Sequence, residues 1–220
     1  MKIAILGGTG DLGKGLALRL AKKNEVVIGS REKEKAEKIA EEYKKEAEKY
    51  GFNFKFTGLT NQEAVESSDK IIISVPHEVL PQFLITLKNY EGKLFISPIV
   101  PMTKTKFGFS YEPFRIGDKE VSAAELIRST LQGARVASAF HTVPAMRLSD
   151  LNAKLNYDVL IAAEDRATFA DAAEIVSSIE GLNPFYAGKL YVSKYLESLT
   201  PLLLNIALNN GLHAPSLKIV

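Results

Sequence analysis

Lys2-Ile3-Ala4-Ile5-Leu6-Gly7-Gly8-Thr9-Gly10-Asp11-Leu12-Gly13 stands at the head of the chain. Its first half is apolar and rich in isoleucine, so it reads as a buried strand that Gly7-Gly8 ends. Its second half fits Gly-x-Gly-x-x-Gly through Gly8, Gly10 and Gly13. That string is weak alone. Here it follows a strand directly and opens a helical period over residues 12–23, with Leu12, Leu16, Ala17, Leu20 and Ala21 on one side. This is the setting of a βαβ dinucleotide-binding unit of roughly 30 residues. Gly8 is expected to make the tight turn, Gly10 to admit a pyrophosphate, and Gly13 to let helix pack on strand. The N–H groups of Thr9, Gly10, Asp11 and Leu12 then face phosphates at the positive end of the helix dipole.

Outward from this unit the pattern repeats. Strands are expected at 25–28, 52–57, 70–75 and 93–97, and helices at 31–50, 61–67 and 77–90. Such alternation, with continuous apolar strands, indicates a parallel sheet covered on both faces. Residues 98–121 read as loop. A helix at 123–131 and a strand at 135–140 follow. Strands at 158–162 and 183–186 then flank a helix at 166–179. The chain closes with an apolar helix at 194–209, which Pro201 is expected to kink or divide, and Gly211 suits its C-cap. The fold class is α/β, a doubly wound, mostly parallel Rossmann-type sheet (residues 1–187) with a small helical C-terminal extension (residues 188–220).

Composition narrows the partners. Across 220 residues, 28 Lys and Arg balance 26 Asp and Glu to a net +2, which gives no global field for nucleic acid or an anionic membrane. Residues 31–50 hold seven charges of each sign, so that helix hides inside a neutral total. The absence of Cys removes disulfides, thiol nucleophiles and zinc–thiolate sites, and three scattered His make no metal site. No apolar run approaches the roughly 18 residues of a membrane span. A cytoplasmic protein is expected.

The position about 20 residues beyond the glycines separates NAD from NADP. NAD-binding proteins carry a carboxylate there for the ribose 2′-hydroxyl. This chain has Ser30 and Arg31, with Lys33 and Lys35 close by. A hydroxyl and a guanidinium suit a 2′-phosphate through charge-assisted bonds, which favours NADP. The competing reading is that Arg31 only begins a solvated charged helix.

Three proline-fixed loops follow strands of the sheet: Ser74-Val75-Pro76-His77, Ser97-Pro98-Ile99-Val100-Pro101 and His141-Thr142-Val143-Pro144-Ala145. They should converge at the nicotinamide end, where an apolar slot suits a flat ring better than a small polar acid. His141 is the best acid–base candidate, balanced evenly against a positioning or structural role, and His77 and His213 have weaker cases.

On these residues the sequence resembles the archaeal deazaflavin-dependent NADP reductases, which move a hydride between NADP(H) and the 8-hydroxy-5-deazaflavin coenzyme F420. The carriers are Gly7 to Ala17, Gly29-Ser30-Arg31, Ser97-Pro98-x-Val100-Pro101, His141-Thr142-x-Pro144-Ala145 and Leu196-Glu197-Ser198-Leu199-Thr200-Pro201-Leu202-x-Leu204-Asn205. The resemblance implies that Thr9, Gly10, Asp11 and Leu12 hold the phosphates and that Ser30, Arg31 and Lys35 hold the 2′-phosphate. It places Val75, Val79, Val100 and Ala145 around the nicotinamide, and His141, Val143, Pro144 and Pro215 beside the deazaflavin. Asp11 stands where the family commonly has Asn. Residues 107–120 and 212–220 match the family less well.

Two other functions fit the glycine loop equally: an NADP-dependent imine or hydroxyacid reductase using Lys194 or His141 as proton donor, and a non-catalytic NADP sensor. The terminal helix is apolar on nearly every side, from Leu199 to Leu208, which suits either capping of the nucleotide domain or contact with a second copy.

Overall fold

Ile3, Ala4, Ile5 and Leu6 have no exposed surface in the computed structural model, which describes residues 1–220. In chain order the elements are β1 (Lys2–Leu6), α1 (Asp11–Leu20), β2 (Glu25–Ser30), α2 (Lys33–Glu48), β3 (Phe56–Thr60), α3 (Asn61–Ser67), β4 (Lys70–Ile73), α4 (Leu80–Leu84), β5 (Leu94–Ser97), β6 (Met102–Thr105), β7 (Gly108–Tyr111), β8 (Phe114–Ile116), β9 (Lys119–Val121), α5 (Ala123–Thr130), β10 (Arg135–Ser138), α6 (Ala145–Ser149), β11 (Tyr157–Ala163), α7 (Arg166–Ser177), β12 (Leu182–Gly188) and α8 (Ser193–Asn210). Eight strands form one sheet in the order β12-β11-β10-β5-β4-β1-β2-β3. From β3 to β10 every pairing is parallel; β11 runs antiparallel to β10 and carries β12 parallel to itself.

Alternation along the strands divides the core. Ile3, Ile5, Ile28, Ile72 and Ile96 pack with residues of α1, α2 and α7 on one face. Ala4, Leu6, Ile71, Ile73 and Phe95 pack with α3, α4 and α5 on the other. This is a doubly wound sheet, and the order of its six parallel strands follows the Rossmann arrangement. Because β1, β4, β5 and β10 are parallel neighbours, the loops that leave them emerge along one edge.

Three local expectations are corrected, and of the two outcomes expected at Pro201 the division of the helix does not occur. The strand expected at 52–57 begins only at Phe56, which pairs with Val26 near the start of β2, and Phe52 stacks on Phe54 at 5.0 Å instead of pairing. The helix expected at 77–90 is a 3₁₀ turn, His77–Val79, followed by α4 of five residues. The amide of Gln62 takes both backbone groups of Lys88 at 2.9 Å, which draws that segment out of helical pairing. The stretch read as loop, 98–121, contains two antiparallel hairpins, β6–β7 and β8–β9. Pro201 lies inside one uninterrupted helix, and Gly211 ends it in the left-handed conformation at φ 63°. No helix is long and apolar enough to cross a membrane.

Side chains of α8 fasten it to the rest. The Asn205 amide takes both backbone groups of Phe109 in β7, at 2.7 and 2.8 Å. Glu197 is fully buried and accepts from the Tyr111 hydroxyl (2.9 Å) and from the N–H groups of Ala123 (3.1 Å) and Ala124 (3.3 Å). It therefore ties α8 to the first hairpin and to the N-terminus of α5. Burial pushes this carboxyl up to about 8, against the pull of the three hydrogen bonds, and nearby Glu125 adds to the rise. The folded value then lies above the roughly 4.3 of an unfolded Glu, so the group's stabilising contribution is complete below about pH 4 and is lost as pH rises through 8. The melting temperature is expected to fall between about pH 5 and 8, and Glu197→Gln to flatten that slope; an unchanged slope in the variant contradicts the assignment.

Candidate functional site

The glycine loop is built by close backbone approach. Gly7, rather than Gly8, takes the left-handed conformation (φ +66°), so the tight turn lies one residue earlier than expected. A Cβ on Gly13 would stand 2.7 Å from the Cα of Gly8, which only glycine permits where α1 starts against the end of β1. A Cβ on Gly10 would meet nothing within 4 Å, and no side chain caps the first turn of α1. The helix therefore opens toward free space with its first amides uncapped, as an anion site requires. The buried Tyr43 hydroxyl donates to the Gly8 carbonyl at 2.6 Å and fixes the loop from α2. Burial raises the Tyr43 phenol, so it remains a donor. Thr9, Gly10 and Asp11 line a cleft of about 490 Å³ with Lys14, Tyr43, Glu46 and Lys49. Leu12 is half-buried against the core, so its amide, not its side chain, is what it offers.

Ser30, Arg31 and Lys35 lie outside that cleft, at the junction of β2 and α2. Ser30 is buried and opposes Thr60 of β3, while Arg31 and Lys35 are exposed. Lys33 is drawn away to Glu63 at 3.4 Å. The Gly7 N–H donates to the Gly29 carbonyl at 3.1 Å, which couples the glycine loop to the residue before Ser30.

Val75 abuts the same turn: a Cβ on Gly7 would lie 2.6 Å from its Cγ1. Val79 is exposed on the 3₁₀ turn, and Val100 is half-buried after β5. Neither lines a cleft with His141.

His141, Val143, Pro144, Ala145 and Pro215 do come together. They line a cleft of about 430 Å³ with Thr200, Leu203, Leu204 and Ala207 of α8 and with Leu212, His213 and Ala214 beyond it. That volume falls in the usual range for small-molecule sites. His141 and His213 are its sole ionisable linings. Burial pulls the His141 imidazole down to about 3, with a hydrogen bond from the ring to the Ser97 backbone carbonyl opposing, so the ring is neutral at physiological pH. Its Nε2 lies 3.3 Å from the Ser138 hydroxyl, and its carbonyl accepts from the Thr200 hydroxyl at 2.8 Å. The ring is a fixed wall and not a poised acid.

Two residues of α1 hold that wall. Gly15 lets α6 approach so closely that a Cβ would lie 2.6 Å from the Leu148 Cβ and 3.0 Å from the Ala145 carbonyl. The buried Arg19 guanidinium donates to the carbonyls of Leu148 (3.0 Å), Arg147 (3.1 Å), Ala153 (2.8 Å) and Asp150. Sequence reasoning missed Arg19, Tyr43 and Thr200. Their partners are backbone groups from 35 to 134 positions away, which no local spacing reveals.

A family model described as NADP oxidoreductase coenzyme F420-dependent matches residues 2–101. The F420-dependent NADP reductase of Methanocaldococcus jannaschii is 36% identical over 215 residues, covering 94% of this chain and 92% of its own. That of Methanothermobacter marburgensis is 37% identical over 223 residues, covering 100% and 98%. The chain belongs to the F420-dependent NADP reductase family. A crystal structure from Arthrobacter sp. FB24 shares this family member's fold with a TM-score of 0.78 at 20% identity, over 100% of this chain and 99% of that one. The imine reductase of Bacillus cereus BAG3X2 shares the fold at a TM-score of 0.63 and 17% identity; this chain spans 64% of its length.

The neutral His141 gives a test independent of turnover. Its ring resonances in NMR titration are expected to hold their neutral positions from pH 8 down to about 5. A midpoint near 6.5, the ordinary value for histidine, contradicts the buried, uncharged assignment.

Proposed function

We propose that this chain transfers a hydride between NADP(H) and the 8-hydroxy-5-deazaflavin coenzyme F420, acting in the cytoplasm. The observation that carries the reading is the apolar cleft that His141–Met146, α8 and the C-terminal tail enclose beside the dinucleotide unit, in a chain whose relatives at 36–37% identity are F420-dependent NADP reductases. The open space over Gly10 and the uncapped turn of α1 fit a pyrophosphate. The apolar lining of the second cleft fits a planar ring.

Residues 1–187 serve as the NADP-binding part, and 188–220 close the deazaflavin side. Thr9, Gly10, Asp11 and Leu12 hold the phosphates through their amides. Asp11 is exposed and keeps its carboxylate in solvent, so it leaves the amides free. Ser30, Arg31 and Lys35 take the 2′-phosphate, Arg31 as the exposed cation next to a buried hydroxyl. Val75, Val79, Val100 and Ala145 border the nicotinamide. His141, Val143, Pro144 and Pro215 flank the deazaflavin.

When both coenzymes are bound, a hydride passes between nicotinamide C4 and deazaflavin C5, with one proton exchanged with solvent. The chain's own contribution is to hold two flat rings face to face and to exclude water from the reacting atoms. His141 presents a neutral ring and is not a poised acid. His213 is exposed on the tail, where solvent reaches the cleft. Of the two donors that imine or hydroxyacid reduction would call on, His141 is neutral and Lys194 is exposed outside the cleft, which disfavours that reading.

The test is NADPH oxidation with F420, with imines and ketoacids, and with no acceptor. Turnover is expected with F420 alone, and tight NADPH binding without F420 turnover contradicts the proposal. Arg31→Ala is expected to raise the KM for NADPH about 10- to 100-fold, as for one or two lost charge-assisted bonds, with NADH unaffected. A parallel rise for both nucleotides removes Arg31 from 2′-phosphate recognition.

The chain also pairs with a second copy through α8. Tyr195, Leu202 and Ile206 are 60, 54 and 40% exposed, and their spacings of seven and four put them on one face. Sedimentation is expected to show a dimer that Leu202→Glu dissociates; a wild-type monomer at every dilution contradicts pairing.

A further inference from the structure

The last ten residues wrap back over the deazaflavin side of the cleft. α8 stops at Gly211, and the chain then turns through Ala214, whose φ of 50° is left-handed for a residue with a side chain. Such a conformation persists only where the surroundings hold it. The hold is visible further along. The Ser216 hydroxyl donates to the Thr142 carbonyl at 2.8 Å, within the loop that carries His141 and Val143. The Asp158 N–H donates to the Leu217 carbonyl at 3.1 Å. The Asp158 carboxylate accepts from Lys218 Nζ (2.8 Å), from the Ile219 N–H (2.6 Å) and from Asn183 Nδ2 (3.0 Å).

Sheet topology explains why the tail docks there. β10 pairs with β11 through Ala137↔Ala163 and Ser138↔Ala162 alone, so the start of β11 runs on past the end of β10. That edge of β11 has no strand beside it, and Leu217–Ile219 occupies it. Asp158 is 1% exposed, and its charge is met by one lysine and two N–H donors. The bonds from Lys218 and Ile219 hold the carboxyl below the usual aspartate range. Four residues of the strap, Leu212 to Pro215, line the cleft, whereas Asp158 does not touch it.

We infer that Asp158 is a positioning residue for the deazaflavin: it locks the C-terminal strap across the cleft, so that Leu212–Pro215 form a wall which clasps the flat ring while the dinucleotide half stays independent. This rests on the function proposed above. The lock is electrostatic and sits at the strap's far end, so releasing it loosens the wall without altering any group that meets either coenzyme.

The test uses the full-length protein with Asp158→Asn, which keeps shape but loses the charge, and with Lys218→Met, which removes one partner and spares the buried carboxylate. Amide exchange across 212–219 is expected to quicken in both variants, with exchange elsewhere unchanged. The KM for F420 is expected to rise about tenfold, the scale of one charge-assisted hydrogen bond, with the KM for NADPH and kcat within about twofold. Faster exchange with an unchanged KM for F420, unchanged exchange in both variants, or equal rises in both KM values each overturn the inference. Wild-type protein that binds NADPH yet never reduces F420 fails differently: it overturns the proposed function and the strap's role with it.

Discussion

Helix α1 can lie where it does because two of its residues lack a Cβ. Gly13 brings its first turn against Gly8, and Gly15 brings its second turn against α6. The first approach points the uncapped amides at the space over Gly10. The second sets the distance between the dinucleotide unit and the loop bearing His141 to Ala145. Arg19, one turn further along, completes the attachment by filling four carbonyls of residues 147–153. Hydrogen bonds to a charged group contribute roughly 1.5–3 kcal/mol each, and removing a buried charge's partners costs about 3–5 kcal/mol, so this clamp outweighs any exposed ion pair in the chain. One short helix thus places both walls of the site.

The chemistry proposed for that site asks little of side chains beyond placement. A hydride moves between two coenzymes that each carry their own reactivity, so the protein's levers are ring separation, orientation and dryness. The structure invests there. Prolines fix the loops after β4, β5 and β10, α8 supplies Leu203, Leu204 and Ala207, and His141 is buried until it is neutral. The dense charge of α2 faces solvent, apart from the stripe that includes Ala36, Ala40, Tyr43 and Ala47. Arg31, just before α2, and Lys35, in its first turn, are exposed at the end of β2, where the proposed function puts the 2′-phosphate.

The parts legible in the sequence were those with short-range grammar. The strand–glycine–helix order of residues 2–20, the Ser30-Arg31 pair at strand end and the proline loops can each be read within about twenty positions, and Gly211 marks its helix end by its identity alone. What stayed illegible depends on distant backbone. Tyr43 reads as one more apolar residue of a stripe until its hydroxyl meets Gly8. Arg19 reads as a polar residue on an amphipathic helix until α6 folds onto it. The hairpins between Met102 and Val121 are short, polar and partly exposed, and Asn205 and Glu197 stabilise them from a helix almost a hundred residues later. Asp158 opens a strand, where a charged residue gives no sign of a tail arriving from position 218.

On the proposed function, the hydride passes directly between the two coenzyme rings. The measurement that meets it head-on is the fate of deuterium carried at C4 of NADPH, in each of its two stereochemical forms, when F420 is reduced in ordinary water. Direct transfer predicts that one form delivers its deuterium to deazaflavin C5 without loss and the other delivers none. Deuterium appearing in the solvent, or arriving equally from both forms, would contradict it.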